Sequence, residues 1–427
     1  MAEYTDRERF IPFSKAQIID MLCTDGKLNK NNVEKFRKFC RILDSIYHFE
    51  FHSKLEYLKE NYYPFDPDKD TKFTNSYSEE ELLKFEKNLV SKFREILNDA
   101  NYEEITEQEL NLALKEESIF KISLYVDFDD FDSYSLFWRG HINHKEKIRK
   151  YFFKEIDLDV PTFERVAMLI KFKKDEYFKQ KKRKIAFEPG STIIKLFKNI
   201  PKADLEMLFP NTQIKMKLKD KIIMLAAAIG GGIGVFTKTA AGIIAMLGVI
   251  WFFILNFGNT EPVRNILSDP EKMGALIAGI SGIGVITAFL IKQWVNYKNR
   301  KIKFMKTLGD NLYFKNLDNN KGVFFHLIND AEEEEFKESI LGYYFLLFSE
   351  QGLTEIELDD EIENWFGKKY NVLIDFEIKD SLRKLNDLKL CQIVGENKNN
   401  MSPIYKVIGI DEGFKHLDNI WDNFFQN

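Results

Sequence analysis

Over most of its length the chain mixes apolar and charged positions at helical spacing, but in its middle third the charges disappear. In Asn32–Tyr57 the apolar residues Val33, Phe36, Phe39, Ile42, Leu43, Ile46 and Phe49 recur at helical spacing, which predicts an amphipathic helix. The Pro- and Asp-rich stretch Tyr63–Asp68 ends it. A second helix is predicted from about Ser78 to Asn98, where Ser78 and Glu81 stand at capping-box spacing; Thr106 and Glu109 repeat that signature. Ile119–Val126 reads as a strand, and Ala167–Phe172 is ambiguous between strand and helix. Residues 1–200 are therefore expected to be mostly helical, with minor strand.

In the middle third, Ile222–Thr237 carry no charge, Lys238 interrupts, Thr239–Gly258 are uncharged, and Met273–Ile291 form another uncharged run. A membrane-crossing helix needs about 20 apolar residues for a hydrocarbon core of about 30 Å. At about 1.5 Å per residue, Ile222–Phe257 would extend about 54 Å as one helix, too long without a bend. Gly230, Gly231 and Gly232 are poor helix formers and supply a place for one. The pattern predicts two spans, about 233–257 and 273–291, with 222–237 left open between spanning and lying at the interface. Lys215, Lys217, Lys219 and Lys221 precede the runs; Lys292, Lys298, Arg300, Lys301, Lys303 and Lys306 follow them. Basic flanks collect on the cytoplasmic side, and two basic flanks on one side require an even number of crossings. Gly230 with Gly234, Ala275 with Gly279 and Ala278 with Gly282 have the small-xxx-small spacing that lets helices approach closely.

From Ala331 onward the pattern predicts a helix over Glu332–Phe348, its acidic start suited to the helix dipole, then helices over Leu358–Phe366 and Phe376–Leu390. Strands at Cys391–Val394 and Tyr405–Ile408 and a closing helix follow, which resembles a winged helix. Such domains often read DNA, but residues 331–427 hold 21 acidic and 10 basic side chains, a balance of −11. Phosphate binding needs cations, so a protein-interaction role is expected and no nucleic acid. The whole chain has 427 residues and net charge −5, with a slightly polar mean hydropathy. Its cysteines, Cys23, Cys40 and Cys391, are three and scattered, which suits free thiols. The N-terminus has no apolar run behind a basic start and carries Glu3, Asp6 and Glu8, so neither a secretory signal nor a mitochondrial presequence is read there.

Two clusters are candidates for chemistry. His48, His52 and Glu56 share one helix face, and two histidines one turn apart can hold zinc, although the interleaved aromatics suit packing. Asp127, Asp129, Asp130 and Asp132 can hold a divalent cation, although the glycine of a calcium loop is missing. Trp138-Arg139-Gly140 offers a cation to pair with these acids. The basic run Lys171–Lys184 suits a solvated hairpin tip or anionic lipid. No catalytic set is read, and no cofactor is expected.

Several stretches together resemble an uncharacterised two-span membrane family that includes the mitochondrial transmembrane protein 143. They are Glu8–Pro12, Tyr47–His52, Tyr63–Asp68, Val126–Phe131, Leu196–Leu208, the acidic helix at Glu332, and Leu417–Asp422. The resemblance implies a membrane protein of unassigned activity and supplies no catalytic residues. The expected architecture is mainly α with minor β: an α+β N-terminal cytoplasmic domain (1–214), a basic-flanked transmembrane hairpin (215–306) and an acidic winged-helix-like cytoplasmic domain (307–427). The expected location is a bacterial inner membrane, with both termini cytoplasmic. The expected role is a membrane-anchored, non-enzymatic scaffold or sensor that recruits a protein partner, with homo-oligomerisation left open. The alternatives are a metal-dependent enzyme built on Asp127–Asp132 and a small oligomeric channel.

Overall fold

A computed structural model describes residues 7–70, 77–113, 123–150, 154–182, 185, 187–215, 268–397 and 401–424. Several of its helices begin where a short polar side chain accepts a first-turn N–H. Ser14 caps α1 (Lys15–Thr24) and Asn29 caps α2 (Lys30–Tyr62). Ser78 caps α3 (Glu79–Asp99), and the Glu81 carboxylate returns the bond to the Ser78 N–H at 2.8 Å. Thr106 and Glu109 repeat the exchange at α4 (Glu107–Ala113). Each exchange satisfies donors that a helix start leaves open. α2 buries Phe36, Phe39, Leu43, Ile46, Phe51, Leu55 and Leu58 along one stripe and ends in a 3-10 turn, Tyr63–Phe65, holding Pro64.

Among the described residues from 103 to 215 the backbone is largely extended. The strands are β1 (Glu103–Glu104), β2 (Ser123–Tyr125), β3 (Phe131–Lys150), β4 (Lys154–Phe172), β5 (Thr192–Pro201) and β6 (Gln213–Lys215). A short helix, α5 (Asp175–Gln180), lies between β4 and β5 within the Lys171–Lys184 run. β1, β3, β4 and β5 pair antiparallel in that order, and β7 (Asn316–Asn319) closes the sheet beside β5. The expectation that strand is minor up to residue 200 is corrected here: β3 and β4 run 20 and 19 residues. β3 and β4 are rich in aromatic and β-branched residues, which suit a pleated surface, but their periodicity is blurred by side chains buried in succession, such as Val166–Ile170.

After β6, the described chain resumes and enters α6 (Pro270–Lys315). β7 follows, then α7 (Lys321–Leu347), α8 (Glu355–Tyr370), α9 (Ile378–Asp387), the hairpin β8 (Cys391–Glu396) and β9 (Pro403–Val407), and α10 (Ile410–Asp422).

The transmembrane hairpin is corrected: among the described residues no helix is long and apolar enough to cross a membrane. The placement in a bacterial inner membrane with both termini cytoplasmic rested on that hairpin and is withdrawn with it. The expected first span, 233–257, lies outside the described residues, as do Lys217, Lys219, Lys221, Gly230 and Gly234. The expected second span is not an element of its own. It is part of α6, a helix of 46 residues, about 69 Å at the usual rise, that carries Gly279, Gly282, Lys292, Lys298, Arg300, Lys301 and Lys303 on one continuous backbone. A charge-free stretch in sequence gives the length of a run and not that of a helix.

The chain forms two compact units. One comprises residues 1–115, 128–205 and 315–427. The other comprises 116–127 and 206–314 and includes the β2–β6 pair and most of α6. In the first unit, one hydrophobic core takes side chains from both ends of the chain. Phe36, Phe39 and Leu43 of α2, Phe93 of α3, Phe137 and Leu169 of the sheet, and Tyr343, Tyr344, Phe366 and Leu417 all contribute. Phe39 stacks on Tyr343 at 4.3 Å between ring centroids, and Phe93 meets both Phe137 and Phe324 edge-on. α7 is the centre of this core.

Candidate functional site

α7 begins at Lys321, so the acidic run Glu332–Glu335 lies in the middle of the helix and not at its N-terminus. A helix dipole therefore does not account for it, because that effect fades within a turn. The run is buried: Glu332, Glu334, Glu335, Lys337 and Glu338 are each 8% exposed or less. Charges this deep survive only when paired, and the elements around α7 bring the partners.

The N-terminal segment supplies the first set. The Glu334 carboxylate accepts the Ile11 N–H at 3.1 Å, and the Lys337 ammonium donates to the Ile11 carbonyl at 2.8 Å. Lys337 also bonds Glu334 at 2.6 Å, so one ion pair satisfies both backbone groups of Ile11. Glu332 takes Lys15 at 3.1 Å and His48 Nδ1 at 3.1 Å. Arg139, from β3, reaches Asp330 at 2.9 Å, and Tyr102 donates to the same carboxylate at 3.1 Å. The Arg139 guanidinium also lies over the Phe10 and Tyr102 rings, 5.3 and 4.8 Å from their centroids.

The second set joins α7 to α9. Lys384 Nζ lies 2.9 Å from Glu335 Oε1 and bonds Glu338 Oε2 directly. The Glu335 contact is close but out of line for a hydrogen bond. Asn101 donates to the other Glu338 oxygen at 2.7 Å, and Ser381 donates to the Glu338 carbonyl at 2.8 Å. Ser339 and Tyr47 share a hydrogen bond of 2.6 Å. Burial pushes Glu338 up to about 7 and raises Glu335, while their two negative charges raise Lys384 against its own burial.

Beside this network lies a groove of about 420 Å³ lined by Phe10–Ser14, Arg139, Glu164, Asp330, Glu333, Glu334 and Lys337. Lys337 and Arg139 are already engaged there by Glu334, Ile11 and Asp330. The wall is thus held in place by ion pairs.

The residues singled out in the sequence are dispersed. His48 pairs with Glu332, while His52 is exposed and Glu56 accepts from Lys59 at 2.7 Å. Asp129 is exposed in the turn Phe128–Asp130, Asp130 is buried, and the Asp127 carbonyl accepts from Asn211 at 2.7 Å. Asp132 pairs with Lys171 and Lys173, at 3.4 and 3.1 Å, which lowers its pKa despite partial burial. Arg139 does not serve these acids; Asp330 takes it. Among the described residues no group of three or more His, Cys, Asp or Glu side chains is placed to hold a metal ion. Lys215 ends β6, and Lys292, Lys298, Lys301 and Lys303 are exposed on α6.

The α7 network was not foreseen. Its signal was present in a long apolar frame, Val323, Phe324, Leu327, Ile328 and Ala331, which continues at helical spacing into Phe336 and Ile340. That frame places the four glutamates inside a helix rather than at its start.

Residues 163–322 match a family model described as a protein of unknown function (DUF3754), which runs from within β4 to the first turn of α7. No solved structure matches. Nothing in these matches links the chain to transmembrane protein 143 or to a two-span family. What they establish is a domain of unknown function over residues 163–322.

Proposed function

We propose that the chain catalyses no reaction of its own and acts as a scaffold or sensor that recruits a protein partner through the β8–β9 hairpin. The observation that carries this reading is the apolar surface of that hairpin. Ile393 is 61% exposed, Val394 47% and Met401 80%. Every residue of β8 after Cys391 is exposed, and a bulge between Ile393 and Gly395 interrupts the ladder. Bulges are used to re-aim side chains at sites of contact, and clustered exposed apolar residues mark interaction surfaces.

The charge of this end of the chain supports a partner with a basic rim, because residues 331–427 sum to −11. It disfavours a phosphate backbone. On the outward face of α9, Arg383 is held by Asp380 at 3.3 Å and by Asp387 at 3.8 Å, so its charge is already shared.

The test is crosslinking and copurification of the full-length chain from its own cells under mild extraction. A partner crosslinked to the hairpin, and lost when Ile393 and Val394 are both changed to Asp, is the expected result. Recovery of no partner would overturn the reading.

A further inference from the structure

Lys384 offers one positive charge to two buried carboxylates. Glu335 and Glu338 reach it from successive turns of α7, and all three side chains are at most 7% exposed. Among the described residues the surroundings do not make up the difference. From α7 itself come Glu334 and Ser339; from α2 come Tyr47, Glu50 and Lys54; from the end of α3 come Asp99 and the amide of Asn101; from α9 comes Arg383. Lys54 is engaged by Asp99 at 2.9 Å, with Glu50 and Glu95 beyond at 3.6 and 3.7 Å. Arg383 is engaged by Asp380 and Asp387. With both carboxylates ionised, the joint between α7 and α9 therefore buries an uncompensated negative charge, which is costly.

We propose that this joint is a proton-operated latch: one proton shared by Glu335 and Glu338 keeps α9 docked on α7, and its loss loosens α9 together with the β8–β9 hairpin that follows it. The proton belongs to the pair and not to either residue, because the two carboxylates compete for one ammonium. Glu338 accepts from Lys384 and from Asn101. Glu335 Oε1, 2.9 Å from the same ammonium, has no aligned donor. Lys384 bonds the Glu338 carboxylate and Ser381, one turn away on α9, the Glu338 carbonyl, so a change of charge on the carboxylate acts on α9 through Lys384.

The direction follows from burial. Burial pushes Glu338 up to about 7 and raises Glu335 as well, whereas an open, hydrated glutamate releases its proton near 4.5. The latch contribution is therefore whole below pH 4.5 and declines as the pH rises through 7. For one such proton the opening constant of α9 rises about tenfold between about pH 6 and 8. The inference concerns the fold itself and stands whether or not the hairpin recruits a partner.

Hydrogen exchange of the full-length chain, corrected for the intrinsic pH dependence of exchange, tests it. In the wild type the α9 amides should lose about tenfold protection between about pH 6 and 8. In Glu335→Gln and Glu338→Gln this slope should vanish, since no shared proton remains to be lost. Equal slopes in all three chains, or α9 protection that does not change with pH, would overturn the proposal. Carboxyl-carbon NMR of the wild type gives an answer independent of the variants. A glutamate pair titrating near neutrality supports the latch, and its absence contradicts it.

Discussion

At the scale of single residues, the decisive quantity is whether a charge can be hydrated when its partner is removed. Arg139 has a side chain only 12% exposed, pairs with Asp330 and packs on two aromatic rings. Arg139→Ala should destabilise the chain by about 3 kcal/mol, because Asp330 is left short of its cation. Lys174 and Glu79 also pair, at 3.2 Å, but both side chains are largely in water. Lys174→Ala should change stability by less than about 0.5 kcal/mol. Urea unfolding of both variants checks the contrast, and similar losses in the two would contradict it. The sequence disclosed such residues unevenly. The capping pairs Ser78–Glu81 and Thr106–Glu109 are local, and both form. Arg139 finds its partner on α7, far along the chain, and no spacing rule reaches across that distance.

Among elements, α7 and α9 approach each other closely at Gly342. A Cβ on Gly342 would stand 2.2 Å from Ser381 Oγ and 3.3 Å from a Leu385 methyl. Ser381 cannot simply turn away without losing its bond to the Glu338 carbonyl. Gly342→Ala should therefore cost about 1–3 kcal/mol through overpacking. Gly367, inside α8, has open space where its Cβ would be. Gly367→Ala should stabilise by about 0.5–1 kcal/mol through helix propensity. Thermal unfolding distinguishes the two signs. Most helices here were legible from period and caps, α2, α3 and α8 among them. The sheet was not, because β3 and β4 bury neighbouring residues and lack clean alternation. α6 misled in the opposite direction: its apolar run was visible, but its continuation through the lysines to Lys315 was not.

At the scale of the molecule, a linear reading divides the chain where its character changes, at the apolar middle. The hydrophobic core follows contacts in space and joins Phe36, Phe39 and Leu43 from near the start with Tyr343, Phe366 and Leu417 from near the end. α7 makes that joining possible, because nearly all of its surface from Ala331 to Leu346 is covered, charged positions included. Its buried ions have a consequence for the whole molecule. They cost solvation, and their partners Ile11, Lys15, His48, Asn101 and Lys384 tie the elements around α7 to it.

This shared core is what joins the two ends of the chain. Native-state hydrogen exchange of the full-length chain in rising denaturant at about pH 6, where the latch should be closed, tests it directly. The protected amides of α2, α7 and α8 should converge on one opening free energy, as parts of one cooperative unit. Convergence of α2 on one value, with α7 and α8 on a clearly different one, would show that the two ends of the chain fold apart and would contradict it.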